Sequence, residues 1–139
     1  MGRRRALGWV LLILISTLSA SAQLCLQHIV SPNYPRLARI AQIKGRVTLT
    51  VNVNEQGKVE SVQASSVSPL LAQPAEENIR QWVFCPSAKS SGPLVISYIY
   101  ALEGRAQYED GPAKVIFDLP SDVHITAHPC EGQPDGWPH

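Results

Sequence analysis

Apolar and polar side chains alternate from Arg46 to Val53. Val47, Leu49, Val51 and Val53 fall on one side of an extended chain, and Arg46, Thr48, Thr50 and Asn52 on the other. This is the period of a strand with one buried and one wet face. Asn54-Glu55-Gln56-Gly57 follows, and Gly57 can take the positive φ that closes an antiparallel hairpin. A second strand starts at Lys58. Its phase slips, because Val59 cannot share a regular strand face with Val62 and Ala64, so a bulge is expected near Glu60 and Ser61.

Helical spacing flanks this hairpin on both sides. Ahead of it, Tyr34 is pushed out of the α region by Pro35, which suits a first turn. Leu37, Ile40 and Ala41 then share a face, and Gly45 suits the exit, so a helix of about eight residues is expected. Behind the hairpin, Pro74 fits another first turn. Glu76 and Glu77 would complement the positive end of that helix dipole, Ala75, Ile79, Trp82 and Val83 form an apolar stripe, and Pro86 ends the helix. After a polar loop from Ser87 to Pro93, Leu94 to Leu102 reads as a strand. Leu94, Ile96, Tyr98, Tyr100 and Leu102 share one face, and the other is partly apolar, so both faces are covered or one is kept for a partner. Val115 to Leu119 and Val123 to Ala127 are further strand candidates, joined by Pro120-Ser121-Asp122.

The N-terminus has a different character. Arg3, Arg4 and Arg5 precede an apolar run from Trp9 to Leu18, and Ala20-Ser21-Ala22 is an A-x-A cleavage pattern ahead of Gln23. Residues 1–22 are therefore expected to be a signal peptide cleaved between Ala22 and Gln23, giving an exported, periplasmic chain. An uncleaved anchor is the competing reading, but the strongly apolar core is about half of the roughly 20 residues a spanning helix needs. The remainder is one domain's worth of chain. The formal net charge of the full 139-residue chain is +1, and apart from Arg3, Arg4 and Arg5 its basic residues are scattered, so no basic face marks nucleic acid as a partner. Export places Cys25, Cys85 and Cys130 where disulfides persist.

The series from Tyr34 to Ser65, the segment ending IRQWVFCP and the strand after it together resemble the TonB C-terminal domain family. Tyr34, Pro35, Ala38, Gly45, Val47, Gly57, Val59, Val62, Trp82, Phe84 and Pro86 stand where that family's pattern has them. The resemblance implies an α+β fold, a small antiparallel sheet backed by two helices, in proteins that couple inner-membrane energy to outer-membrane receptors. It further implies that a receptor segment is gripped by strand addition beside the last strand, here Leu94, Val95, Ile96, Ser97, Tyr98, Ile99 and Tyr100. Residues 23–103 would be this domain, 104–130 an extension with extra C-terminal strands, and 131–139 a disordered tail. Departures are as informative: no His precedes His28, no Pro-rich spacer leads to Tyr34, and Cys85 stands between Phe84 and Pro86.

Cys25 just ahead of the first helix and Cys85 at the end of the second would meet if both helices pack on one sheet face. Closing that loop of about 60 residues would stabilise by roughly 4 kcal/mol on the chain-entropy model. Cys130 is left over in a Pro- and Gly-rich stretch. His124 and His128 on one strand would lie about 13 Å apart, too far to share a tetrahedral zinc, so no metal or other cofactor is expected. Nucleophile-elbow, phosphate-loop and zincin patterns do not occur, which argues against an enzyme with a small-molecule substrate. Tyr34, Trp82 and Phe84 read as core anchors. Two functions remain: a module that binds an envelope protein or receptor peptide by strand addition, and a scaffold or homo-oligomer subunit whose own extension fills the sheet edge.

Overall fold

The strand beginning at Gly45 lies in the middle of the molecule's hydrogen bonding. It pairs on one side with Val59–Ser65 and on the other with Leu94–Leu102. The structure, a computed structural model, describes residues 25–108 and 111–132. The expected signal segment with its Ala22–Gln23 cleavage, and nearly all of the expected disordered tail, lie outside the described residues. In chain order the elements are β1 (Leu26–His28), α1 (Arg36–Ile40), β2 (Gly45–Val53), β3 (Val59–Ser65), α2 (Pro69–Ile79), β4 (Val83–Phe84), a 3-10 turn (Pro86–Ser91), β5 (Leu94–Leu102), β6 (Lys114–Asp118) and β7 (Asp122–Ala127). A five-stranded sheet runs β3-β2-β5-β7-β6, and β1 and β4 form a separate two-stranded sheet. All neighbours are antiparallel except β5 and β7, which are parallel.

One face of the sheet carries the core. Val47, Leu49, Val51 and Val53 of β2, Ile96, Tyr98 and Tyr100 of β5, and Val123, Ile125 and Ala127 of β7 are buried there with Ala38, Leu71, Ala75, Ile79, Trp82 and Phe84. The fold is thus α+β, with helices on one side of a mainly antiparallel sheet and extra C-terminal strands. The bulge falls where the phase slip places it. Asn52 stands opposite Ser61 and Val53 opposite Val59, which leaves Glu60 as the extra residue.

Both helices depart from their expected bounds. α1 has only five residues, and it buries Ala38 and Arg39 while Leu37 is 65% exposed. Gln42 takes φ 53°, and the Ile43 amide donates back to Ala38 O at 2.8 Å, so the helix stops before Gly45. α2 begins earlier than expected, because Ser68 Oγ accepts the Leu70 amide at 3.2 Å and Pro69 occupies the first turn. Pro74 is therefore inside the helix. Glu76 and Glu77 lie in its second half, where the positive dipole end does not account for them. The helix also ends sooner, at Ile79. The Phe84 amide donates to Gly57 O at 2.8 Å and the Cys85 amide to Cys25 O at 3.0 Å, and these bonds divert Val83–Phe84 into β4. Pro86 opens the 3-10 turn rather than ending a helix.

Candidate protein-interaction site

The stretch expected to receive a partner strand does not lie along an open edge. β2 pairs with β5 from Gly45↔Tyr100 to Val51↔Leu94, and β7 pairs with its other side from Ser97↔Asp122 to Leu102↔Ala127. Ser97, Tyr98, Ile99 and Tyr100 therefore have a strand on each side. Only Leu94, Val95 and Ile96 run past the start of β7, and Val95 is 56% exposed. The bonds that close this edge are well formed. The Ser97 amide donates to Ser121 O at 2.7 Å and the Glu103 amide to Ala127 O at 2.9 Å.

Arg39 fastens the extension from the helix side. Its Nε donates to His128 O at 2.8 Å and one terminal nitrogen donates to Gly111 O at 2.9 Å; the other stands 3.0 Å from His128 Nε2. His128 Nε2 also accepts the Gly111 amide at 3.2 Å, and Nδ1 lies 2.9 Å from Pro129 O, an arrangement that suits the tautomer with its hydrogen on Nδ1. Beyond it, the Cys130 amide donates to Arg39 O at 3.4 Å and the Glu131 amide to Gln107 O at 2.9 Å. Cys130, left over in the Pro- and Gly-rich stretch that ends the extension, is buried. Cys25 and Cys85 are joined by a disulfide with Cα atoms 5.3 Å apart, which ties β1 to the end of β4.

The aromatic residues are structural. Tyr34 packs edge-on against Tyr100 at 5.1 Å and donates its hydroxyl to Ile43 O. Trp82 lies between Phe84, Tyr98 and Phe117, with ring centroids 6.3, 6.1 and 5.9 Å away. Asn78 Oδ1 accepts the Tyr98 hydroxyl at 2.6 Å and Trp82 Nε1 at 3.1 Å, and its Nδ2 donates to Val30 O at 3.0 Å. Burial raises the pKa of Tyr98 and Tyr100, while that of Tyr34 is pushed up to about 12 by burial, with the Arg39 charge opposing. Clefts of ≈ 360 Å³ and ≈ 340 Å³ meet at Pro35, Pro74 and Glu77 between the outer sides of the two helices. His124 is half-buried on the face away from the helices and His128 is held by Arg39.

Gly57 explains a further part of the pattern. It has φ 79°, and a Cβ there would sit 1.8 Å from Phe84 O. The hairpin turn and the segment after α2 thus touch backbone to backbone, which demands a glycine at one and fixes the other. The family model of the Gram-negative bacterial TonB protein C-terminal matches residues 30–103. This chain belongs to the TonB C-terminal family. It is 35% identical over 80 residues to Protein TonB of Salmonella typhimurium strain LT2 and 26% identical over 80 residues to Protein TonB of Escherichia coli strain K12. Each match covers 56% of this chain and 33% of the relative, so the chain spans a third of the length of the TonB proteins it matches. The TonB-family match stops at residue 103, where the extension that closes β5 begins. Arg39 was not legible as a functional residue: its partners lie up to 89 positions away, and nothing local distinguishes it from Arg36. Among the described residues no helix is long and apolar enough to cross a membrane.

Proposed function

We propose that this chain is an exported, periplasmic, non-enzymatic protein-interaction domain of TonB-type transmembrane transport, and that it works as a scaffold whose strand-accepting edge is capped in cis. The observation that carries this reading is the parallel pairing of Ser97–Leu102 with β7. β7 is bound through its side chains as well as its backbone: Val123 and Ile125 are fully buried. Burying one such aliphatic side chain contributes roughly 1.5–3 kcal/mol. A receptor peptide offering mainly backbone hydrogen bonds would have to replace that packing and the Arg39 bonds together. An envelope protein therefore meets this domain on a surface other than β5. A second reading, strand addition at β5, draws on Leu94 to Ile96, which extend beyond β7.

Hydrogen exchange on the intact protein separates the two readings. Under the capped reading, an outer-membrane receptor's N-terminal peptide leaves the amides of β5 and β7 protected and shows no saturable binding. Peptide binding with loss of protection in β7 would establish strand addition instead. Crosslinking in the intact envelope should capture a component of an outer-membrane transport system; capture of proteins unrelated to transport would overturn the assignment to that process.

A further inference from the structure

With β5 closed, the outer strands of the five-stranded sheet among the described residues are β3 and β6. The backbone direction along β6 follows from the bonds inside the sheet. Because Ser97 and Glu103 donate to Ser121 O and Ala127 O, the odd-numbered residues of β7 face β5, and Asp122, His124 and Thr126 face β6. Their opposite numbers are Asp118, Ile116 and Lys114. The N–H and C=O groups of Val115 and Phe117 are consequently directed outward. This edge is apolar at its centre, with Ile116 50% exposed and Phe117 36% exposed, and charged at its ends.

A second observation concerns those charges. Asp118 stands directly across from Asp122, a like-charge cross-strand pair. Asp122 is offset by Arg46 at 3.6 Å, but neither Asp118 nor Lys114 forms an ion pair among the described residues. An antiparallel strand of the same sequence, centred on Ile116, places Lys114 opposite Asp118 at both ends. It also sets Val115 against Phe117, whose outward backbone groups then exchange hydrogen bonds in both halves.

We propose that the outer edge of β6 is a self-association surface, at which a second copy of this chain pairs β6 with β6 antiparallel about a twofold axis at Ile116. The contact is isologous, so both ends are satisfied at once and the two sheets become one. Lys114 of the second copy supplies a cation to Asp118. Five residues per strand give a contact below the usual size of stable interfaces, so association is weak and transient, and roughly 1 µM to 1 mM is the range in which to look for it.

Sedimentation equilibrium of the full chain across that concentration range tests the proposal. The mass should rise from monomer to dimer, and Lys114→Glu or Asp118→Lys should each weaken dimerisation about tenfold or more by setting like charges opposite one another. The Lys114→Glu/Asp118→Lys double variant should restore it, and the two single variants should pair with each other when mixed. Both side chains are exposed and lack ion pairs among the described residues, so circular dichroism should show each variant folded as the parent. A monomer at all concentrations overturns the proposal. A dimer indifferent to these charge changes also overturns it, since the pairing then lies elsewhere. Capture of a different protein at β6 with no self-association likewise rejects the second copy as occupant.

Discussion

Gly57 and Phe84 hold each other through the main chain: Gly57 O accepts the Phe84 amide at 2.8 Å, and a Cβ on Gly57 would lie 1.8 Å from Phe84 O. Gly57 also carries φ 79°, a conformation costly for any L side chain. Gly57→Ala should therefore destabilise by roughly 2–4 kcal/mol, combining backbone strain with separation of β4 from the turn. Urea unfolding measures this directly; a loss below about 0.5 kcal/mol would mean that the turn moves away without cost.

Arg39→Lys tests the clasp on the extension. Lysine keeps the charge but cannot serve His128 O, Gly111 O and the His128 ring together. The expected loss is roughly 1–3 kcal/mol, since part-buried carbonyls are left without donors. Faster hydrogen exchange should appear first in β7. Unchanged β7 protection would show that its side-chain packing suffices alone.

Tyr100 is buried, yet its hydroxyl has no hydrogen-bond partner among the described residues. A buried hydroxyl left unsatisfied costs about 1–3 kcal/mol, so Tyr100→Phe should leave thermal stability unchanged or raise it. The neighbouring Tyr98→Phe should lower it, because Asn78 Oδ1 loses the 2.6 Å bond. The opposite order of the two variants would contradict this bonding pattern.

Alkaline pH should unfold the domain progressively. Tyr34, Tyr98 and Tyr100 all have folded pKa values raised above the ordinary 10, Tyr34 to about 12. Above pH 10 the unfolded chain sheds these protons while the folded chain retains them. Stability is thus fully present below pH 10 and falls as pH rises through the folded values. Tyrosinate absorbance in a pH titration should lag free tyrosine and then rise together with loss of near-ultraviolet circular dichroism. Early ionisation of all the tyrosines without unfolding would refute their burial.

The sequence showed most clearly what depends on local periodicity. β2, the bulge at Glu60 and the full extent of β5 follow from alternation, because a covered face leaves its mark on every second residue. The helix bounds were less legible. Pro74 reads locally as a first-turn residue, whereas the Ser68 cap begins the helix earlier and the long-range bonds of Phe84 and Cys85 end it at Ile79. β1 was not expected at all, since Leu26–His28 pairs with β4 only because of where β4 lies in space. Two strands were expected in the extension, but their order beside β5 was not. A strand's own pattern says which face is buried and leaves its neighbours unspecified.

That order has a consequence for how the molecule comes into being. β7 lies between β5 and β6 in the sheet, although it follows both along the chain. A polypeptide made from its N-terminus lays down β5 and then the outermost strand, and the gap between them cannot be filled until Ala127 has emerged. Until then Tyr98 and Tyr100 belong to an unfinished edge. Nascent chains held short of that point should aggregate or engage chaperones, and a single late step should mark completion of the sheet.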